Sequence, residues 1–138
     1  MRNDLADRLN VVEEAYEFML AYAAQGVTGE EGTGKGGLIR DFLERAARAL
    51  EGLSDASLLV VQEERLEPEA HYLNFLKVLE RDAKDSLAAI ELVLAQRAIS
   101  SQLVDNLNAS IHLRALLTDL FLIDEILKLQ STPQREHA

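Results

Sequence analysis

The sequence predicts an all-α protein, an elongated antiparallel up-down bundle of four principal helices with one short extra helix. Of its 138 residues 48% are hydrophobic, and only two are prolines. Alanine, leucine, glutamate, arginine and glutamine are abundant, and these residues lose little side-chain entropy in a helix. Apolar residues also recur at helical spacing along most of the chain. Residues 1–130 are therefore expected to form a single helical-bundle domain.

The first predicted helix spans about residues 4–25 and ends at a glycine-rich segment. Its apolar seam alternates spacings of four and three residues and consists of Leu5, Leu9, Val12, Tyr16, Met19 and Ala23. Asn3 is the predicted N-cap, and Gly26 is the predicted C′ residue. Residues 26–37 hold six of the seven glycines, so we expect a flexible loop there.

The remaining helices are predicted from their capping signals and apolar spacing. They cover about residues 38–53, 57–66, 69–99 and 102–130. A polar segment at residues 54–57 separates the first two of these, and Pro68 suits the first turn of the next. Ser100 and Ser101 mark the turn before the last helix. The polar residues 131–138, which include Pro133, are expected to be a disordered tail.

The second half of the last predicted helix is apolar on nearly every side. A helix that is apolar all round is buried all round, and a single layer of four helices leaves part of it uncovered. We therefore expect a homodimer and a protein partner, and a non-enzymatic accessory or adaptor role. The predicted interface consists of Leu116, Leu120, Phe121, Ile123 and Leu127. The alternative is that residues 55–66 cover this surface within one chain.

Charge and composition restrict the partners and the compartment. Twenty-four acidic and fourteen basic residues give a net charge of -10, which repels nucleic acid and anionic membranes. The most apolar stretch is interrupted by charges, so no membrane span is expected. There are no cysteines, which excludes thiolate chemistry. The N-terminal segment MRNDLADRLN lacks the apolar core of a secretory signal, so we expect a cytoplasmic protein.

The stretch GEEGTGKG, at residues 29–36, is close to the phosphate-binding motif G-x-x-x-x-G-K-[ST]. Gly36 stands where the motif needs a magnesium-binding hydroxyl, and a helix rather than a strand is predicted before it. Nucleotide hydrolysis is therefore not expected. A weaker phosphate contact at Gly34, Lys35 and Gly36, near the start of a helix, stays as a less favoured alternative.

A ligand inside the bundle is the second alternative. Glu13 and Glu17 on the first helix could face His112 on the last and bind a metal, although no Glu-x-x-His pair is present. A pigment or flavin could instead use His112, His71 or Met19. No cofactor is part of the main prediction, because glutamates on a helix usually form a solvated face and a methionine at helical spacing usually fills the core.

Overall fold

The computed structural model describes residues 2–28 and 34–130, without the side chain of Lys35. These residues form six helices and their connecting turns, and they contain no strand. The helices are α1 (Arg2–Ala23), α2 (Gly34–Glu51), α3 (Leu53–Glu63), α4 (Glu69–Leu94), α5 (Ser101–Asn108) and α6 (Ile111–Gln130). The all-α class is thereby confirmed. The predicted tail at residues 131–138 and residues 29–33 of the predicted loop lie outside the described residues.

Helix α1 packs on α2, α3 and α5 through the seam predicted for it. Leu5, Leu9, Val12 and Met19 of that seam are buried. Gly26 follows the last turn with φ 70, the left-handed conformation that favours glycine at a helix end. Helix α2 already begins at Gly34, so residues 34–37 are helical and the predicted loop is shorter than expected.

The break between α2 and α3 lies at Gly52 and not at residues 54–57. Ser57 is buried inside α3, where its hydroxyl donates to the carbonyl of Leu53 at 2.9 Å and so does not cap a new helix. Arg8 of α1 instead caps the C-terminal end of α2, because its Nη1 donates to the carbonyl of Ala49 at 2.9 Å. The polar residues at 54–57 misled the prediction, since serine and aspartate also occur within helices.

Helix α4 ends at Leu94, five residues before the predicted boundary. Arg40 of α2 donates to the carbonyls of Leu94, Gln96 and Arg97, which satisfies this helix end from outside. The chain then reaches Ile99, whose carbonyl accepts a hydrogen bond from the buried hydroxyl of Tyr22 on α1.

The predicted single helix over residues 102–130 is wrong, because the chain breaks at residues 109 and 110. Ser100 caps α5 by accepting from the Leu103 amide at 3.0 Å, as predicted for this turn. At the second start, the Ser110 hydroxyl accepts from the His112 amide at 3.2 Å. The buried Asn108 side chain donates to the carbonyl of Met19 at 3.3 Å, which holds the end of α5 against α1.

Helix α6 packs mainly on α4, and its inner face joins the common core. Helix α3 packs mainly on α4 and α1. It therefore leaves the outer surface of α6 open, and Phe121, Leu122 and Leu129 there are exposed. Residues 55–66 therefore do not cover these three side chains, contrary to the alternative considered from the sequence.

Candidate functional site

An apolar groove runs along the outer side of the contact between α4 and α6. Six residues line this α4–α6 groove, which has a volume of about 200 Å³: His71, Tyr72, Phe75, Leu122, Ile123 and Ile126. The members on each helix are spaced by one to four residues, so each helix contributes one face over about one turn. The Tyr72 hydroxyl accepts a hydrogen bond from Gln130 at 3.2 Å, which leaves the ring as the surface offered to the groove.

The exposed apolar residues beside this groove are not the ones that the sequence predicted. Leu122 is 49% exposed and Val78, one turn after Phe75 on α4, is 39% exposed. The sequence does show that Phe75 and Val78, three residues apart, share one face of their helix and that Leu122 belongs to an apolar helix. The spacing within each helix does not show which apolar residues face this side, however, because that depends on how α6 packs on α4.

Four of the five predicted interface residues belong to the core of the chain. Leu116, Leu120, Ile123 and Leu127 are buried because α6 turns this face toward α4 and the core, and only Ile123 reaches the groove, as part of its floor. Leu116, Leu120 and Leu127 therefore lie inside the chain and do not line the groove.

The fifth, Phe121, is 53% exposed but faces away from the groove. It lies three and seven residues before Asp124 and Lys128, and the charges of both act on Glu13 of α1. Phe121 therefore lies on the flank of α6 that faces α1, opposite the groove.

Two carboxyl groups meet where the groove ends toward the middle of α4. Asp119 of α6 is only 8% exposed, and its Oδ2 has no hydrogen-bond partner among the described residues. Burial, followed by a hydrogen bond with the Asp82 side chain and the charge of Asp82, raises the pKa of Asp119 to about 7. A proton is therefore held at this pair near neutral pH.

Beyond this pair, the start of α6 is fixed to α4 by a serine and a histidine. The buried Ser86 hydroxyl donates to the carbonyl of His112 at 2.9 Å. His112 Nδ1 lies 3.8 Å from Asp85 Oδ2, and both side chains are about half exposed. The outer face of α4 and α6 thus runs from the apolar groove, past Asp82 and Asp119, to this exposed pair.

The structure separates the residues predicted for a metal or cofactor. Glu13 and Glu17 lie on α1, whereas His112 contacts Asp85 on α4. Burial, followed by the charge of Asp124, raises the pKa of Glu13, and Lys128 opposes this. Within residues 2–28 and 34–130, no three His, Asp or Glu side chains form a group that could hold a metal ion.

The three cofactor candidates are likewise apart. Met19 is buried in the core, while His71 is exposed at the rim of the groove. His71 lies near the start of α4, and the partner of His112, Asp85, lies fourteen residues further along. At 1.5 Å per residue this separates the two histidines by about 21 Å along the helix axis. They do not frame one site.

Gly34, Lys35 and Gly36 form the first turn of α2, with helix α1 as the preceding regular element. Residues 29–33, which complete the motif-like stretch, lie outside the described residues. The phosphate contact therefore stays a prediction.

A shallow recess between α1 and α2 gathers three arginines, two of which already have partners. Arg8 pairs with Asp4 at 3.2 Å, and Arg45 pairs with Asp41 at 3.1 Å. The Arg45 guanidinium also stacks over the Phe42 ring at 4.4 Å. These contacts stabilise the two helices and do not assemble a binding site.

Comparisons with protein-family models, with curated proteins and with solved structures find no match for this chain. Over the part of the chain that the structure describes, no helix is both long and apolar enough to cross a membrane.

Proposed function

We propose that this chain is a non-enzymatic, cytoplasmic accessory or adaptor protein that binds another protein through the α4–α6 groove. The observation that carries the proposal is the groove itself: an open apolar recess, lined by aromatic and aliphatic side chains, on an otherwise strongly acidic protein. A contiguous, concave apolar patch on a protein surface is typical of an interaction site. Single exposed apolar residues, by contrast, are common on protein surfaces.

The size of the groove favours a small anchor from the partner. A recess of about 200 Å³ accepts one or two apolar side chains and not a large cofactor. Two packed helices with a groove between them are a common receptor for one apolar face of a third helix. Most of the binding free energy then comes from a few anchor residues in the recess.

The elongated antiparallel bundle is part of the same proposal. Its support is the packing of α4 on α6 and of α1 on α2, together with the short connections at Gly52 and at residues 109–110. In this arrangement α5 and α6 together take the place of one long helix. Their outer side leaves the groove open along the bundle.

We infer that self-association to a homodimer uses a different flank of α6 from the groove. Phe121 is 53% exposed and does not line the groove. A contact between two copies at Phe121 leaves the groove open to another protein.

Co-purification from the cells that produce the protein tests the proposal. Leu122→Asp places a charge in the groove and should abolish the recovery of a specific protein partner, measured by quantitative mass spectrometry. Leu59→Asp is the matched control, because Leu59 on α3 is 41% exposed and lies outside the groove. Equal partner recovery with the two folded variants would contradict the proposal.

A further inference from the structure

The two ends of the α4–α6 groove differ in chemistry. Asp119 precedes Leu122 and Ile123 by three and four residues, so it lies one helical turn beyond the apolar lining on α6. On α4, Asp82 follows the last lining residue, Phe75, by seven residues, or two turns. One turn corresponds to about 5 Å along the axis. A ligand that fills the apolar part and extends toward the middle of α4 therefore meets Asp82 and Asp119 next.

Asp119 is an unusual group to find at this position. A buried carboxyl oxygen without a hydrogen-bond donor is costly, and no N–H or O–H group of the described residues donates to Asp119 Oδ2. The hydrogen bond between Asp119 and Asp82 requires a proton on one of the two carboxyl groups. A second carboxyl group beside it adds repulsion when both are ionised. Either a proton or a cation supplied from outside relieves this arrangement.

We propose that the α4–α6 groove binds an amphipathic helix of a partner protein whose lysine or arginine, one turn beyond its apolar anchor, pairs with Asp82 and Asp119. This inference rests on the proposed function and names the chemistry of the partner. The apolar anchor supplies affinity, and the cation fixes the direction and register of the bound helix.

Charge complementarity favours a basic helix at this point. The net charge of -10 attracts a basic segment from solution. Lys84 of α4 is engaged within its own helix, since it pairs with Glu80 at 3.4 Å, and Lys128 pairs with Asp124 at 3.3 Å on the opposite flank of α6. An external cation therefore suits the carboxyl pair.

Cation binding is coupled to the proton of Asp119. With a pKa of about 7, Asp119 is partly protonated at pH 7, and an adjacent cation lowers that pKa and releases the proton. Asp82 and Asp85 face this region from α4, and His112 lies two turns before Asp119 on α6 itself. An uncharged helix in the same groove releases no proton from this pair.

The charged groups of the other neighbouring helices lie elsewhere. Asp105, the one charged residue of α5, lines a recess beside Gly26 and Val27. Glu13 of α1 interacts with Asp124 and Lys128 on the opposite flank of α6. The carboxyl pair therefore accounts for the proton exchange that we expect.

Two synthetic helical peptides of 18 residues provide the test. Both carry leucines at positions i, i+3, i+4 and i+7, and they differ only in a lysine or a glutamine on the same face one turn further on. Isothermal titration at pH 7, in two buffers with different ionisation heats, measures affinity and proton release for the full chain. The lysine peptide should bind about tenfold more tightly than the glutamine peptide, and only its binding should release protons.

Two variants separate this inference from the proposed function. With Asp119→Asn, which keeps the shape of the side chain, the preference for lysine and the proton release should both be lost. With Leu122→Asp, the binding of both peptides should weaken. Circular dichroism melting verifies that each variant is folded, and Asp82→Asn provides a second carboxyl variant.

Each other outcome overturns one part of the account. Equal binding of the two peptides to the wild-type chain, with loss on Leu122→Asp, rejects the cation pairing and leaves the groove as a binding site. Binding that Leu122→Asp does not weaken shows that the groove is not the site and rejects the proposed function. No detectable binding of either peptide rejects the partner helix that we propose.

Discussion

Arg40 of α2 donates through Nη1 to the carbonyl of Leu94, the last residue of α4, at 2.9 Å. The last four carbonyls of a helix have no partner within the helix, and a cation there also interacts favourably with the helix dipole. Helix α4 has no basic residue in its last turn, so α2 supplies the cation from outside. Arg8 and Arg2 of α1 reach Ala49 near the end of α2 and Leu127 near the end of α6 in the same way.

Replacement of Arg40 should therefore destabilise the protein even though the residue is outside the core. Arg40→Ala removes three hydrogen bonds from a charged donor and should lower the free energy of unfolding by about 1–2 kcal/mol. Urea denaturation at pH 7 measures the change. Arg81→Ala, at an exposed position in the middle of α4, is the control and should change stability by less than about 0.5 kcal/mol. A similar loss in both variants would show that Arg40 acts only as a surface charge.

The end of α3 contains an arginine where most helices have glycine. Arg65 has φ 53, and the Leu66 amide donates to the carbonyl of Val61 at 3.1 Å, the hydrogen bond of a Schellman turn. Because a side chain disfavours this conformation, Arg65→Gly should raise the free energy of unfolding by about 0.5–1 kcal/mol.

Thermal and urea denaturation test the effect at Arg65. Glu63→Gly, at the last residue of α3 and two residues before Arg65, should instead lower the free energy of unfolding by up to about 1 kcal/mol. Destabilisation by Arg65→Gly of the same size as that by Glu63→Gly would contradict the assignment of strain to Arg65.

The Asp82–Asp119 pair makes the stability of the protein depend on pH. The pKa of Asp119 is raised from 3.8 in the unfolded chain to about 7 in the folded protein, so between these values the folded state binds more protons. The stability from this group is fully present below about pH 4 and is lost as the pH rises through about 7. Each unit of the rise in pKa corresponds to about 1.4 kcal/mol.

Asp119→Asn should remove this pH dependence. The variant should be more stable than the wild-type chain at pH 8 and should show a smaller loss of stability between pH 5 and pH 8, measured by urea denaturation across that range. Asp105→Asn, at an exposed position of α5, should leave the wild-type slope unchanged. Lower stability of Asp119→Asn at pH 8 would mean that the ionised carboxylate is favourable in the fold.

Self-association should depend on Phe121 and not on the groove. Phe121→Ser removes a half-exposed aromatic ring without disturbing the core and should shift a homodimer to monomer by at least about tenfold in dissociation constant. Sedimentation velocity over a range of concentrations measures the shift. Leu122→Asp should leave the dimer intact. The opposite result, with Leu122 controlling the dimer, would place the second copy in the groove.

The helical class and the inner seam of α1 could be predicted from the sequence because they depend on local spacing. Gly26 and the cap at Ser100 were predicted for the same reason, since glycine and serine have strong positional preferences at helix ends. The early ends of α2 and α4 were not, because they depend on Arg8 and Arg40 of other helices. Propensity within a segment carries no information about such contacts.

The candidate site was less accessible to prediction than the fold. The apolar residues of α6 indicated an unusual helix. Because they occur on all sides of it, however, their spacing does not show which of them face the core. Leu120 and Leu127 belong to the core, whereas Leu122 faces outward. The distinction follows from the break at residues 109–110, where neither proline nor glycine marks the turn. The Asp82–Asp119 contact joins residues 37 positions apart, which no spacing within either helix reveals.

Site-specific photo-crosslinking from position 78 tests most directly whether another protein occupies the α4–α6 groove. A photoreactive residue in place of Val78, at the edge of the groove, should crosslink in living cells to one protein other than a second copy of the chain. The adduct should disappear when Leu122→Asp is added, and the same residue in place of Leu59 on α3 should not form it. No adduct from position 78, or the same adducts from positions 78 and 59, would contradict the proposed role of this face.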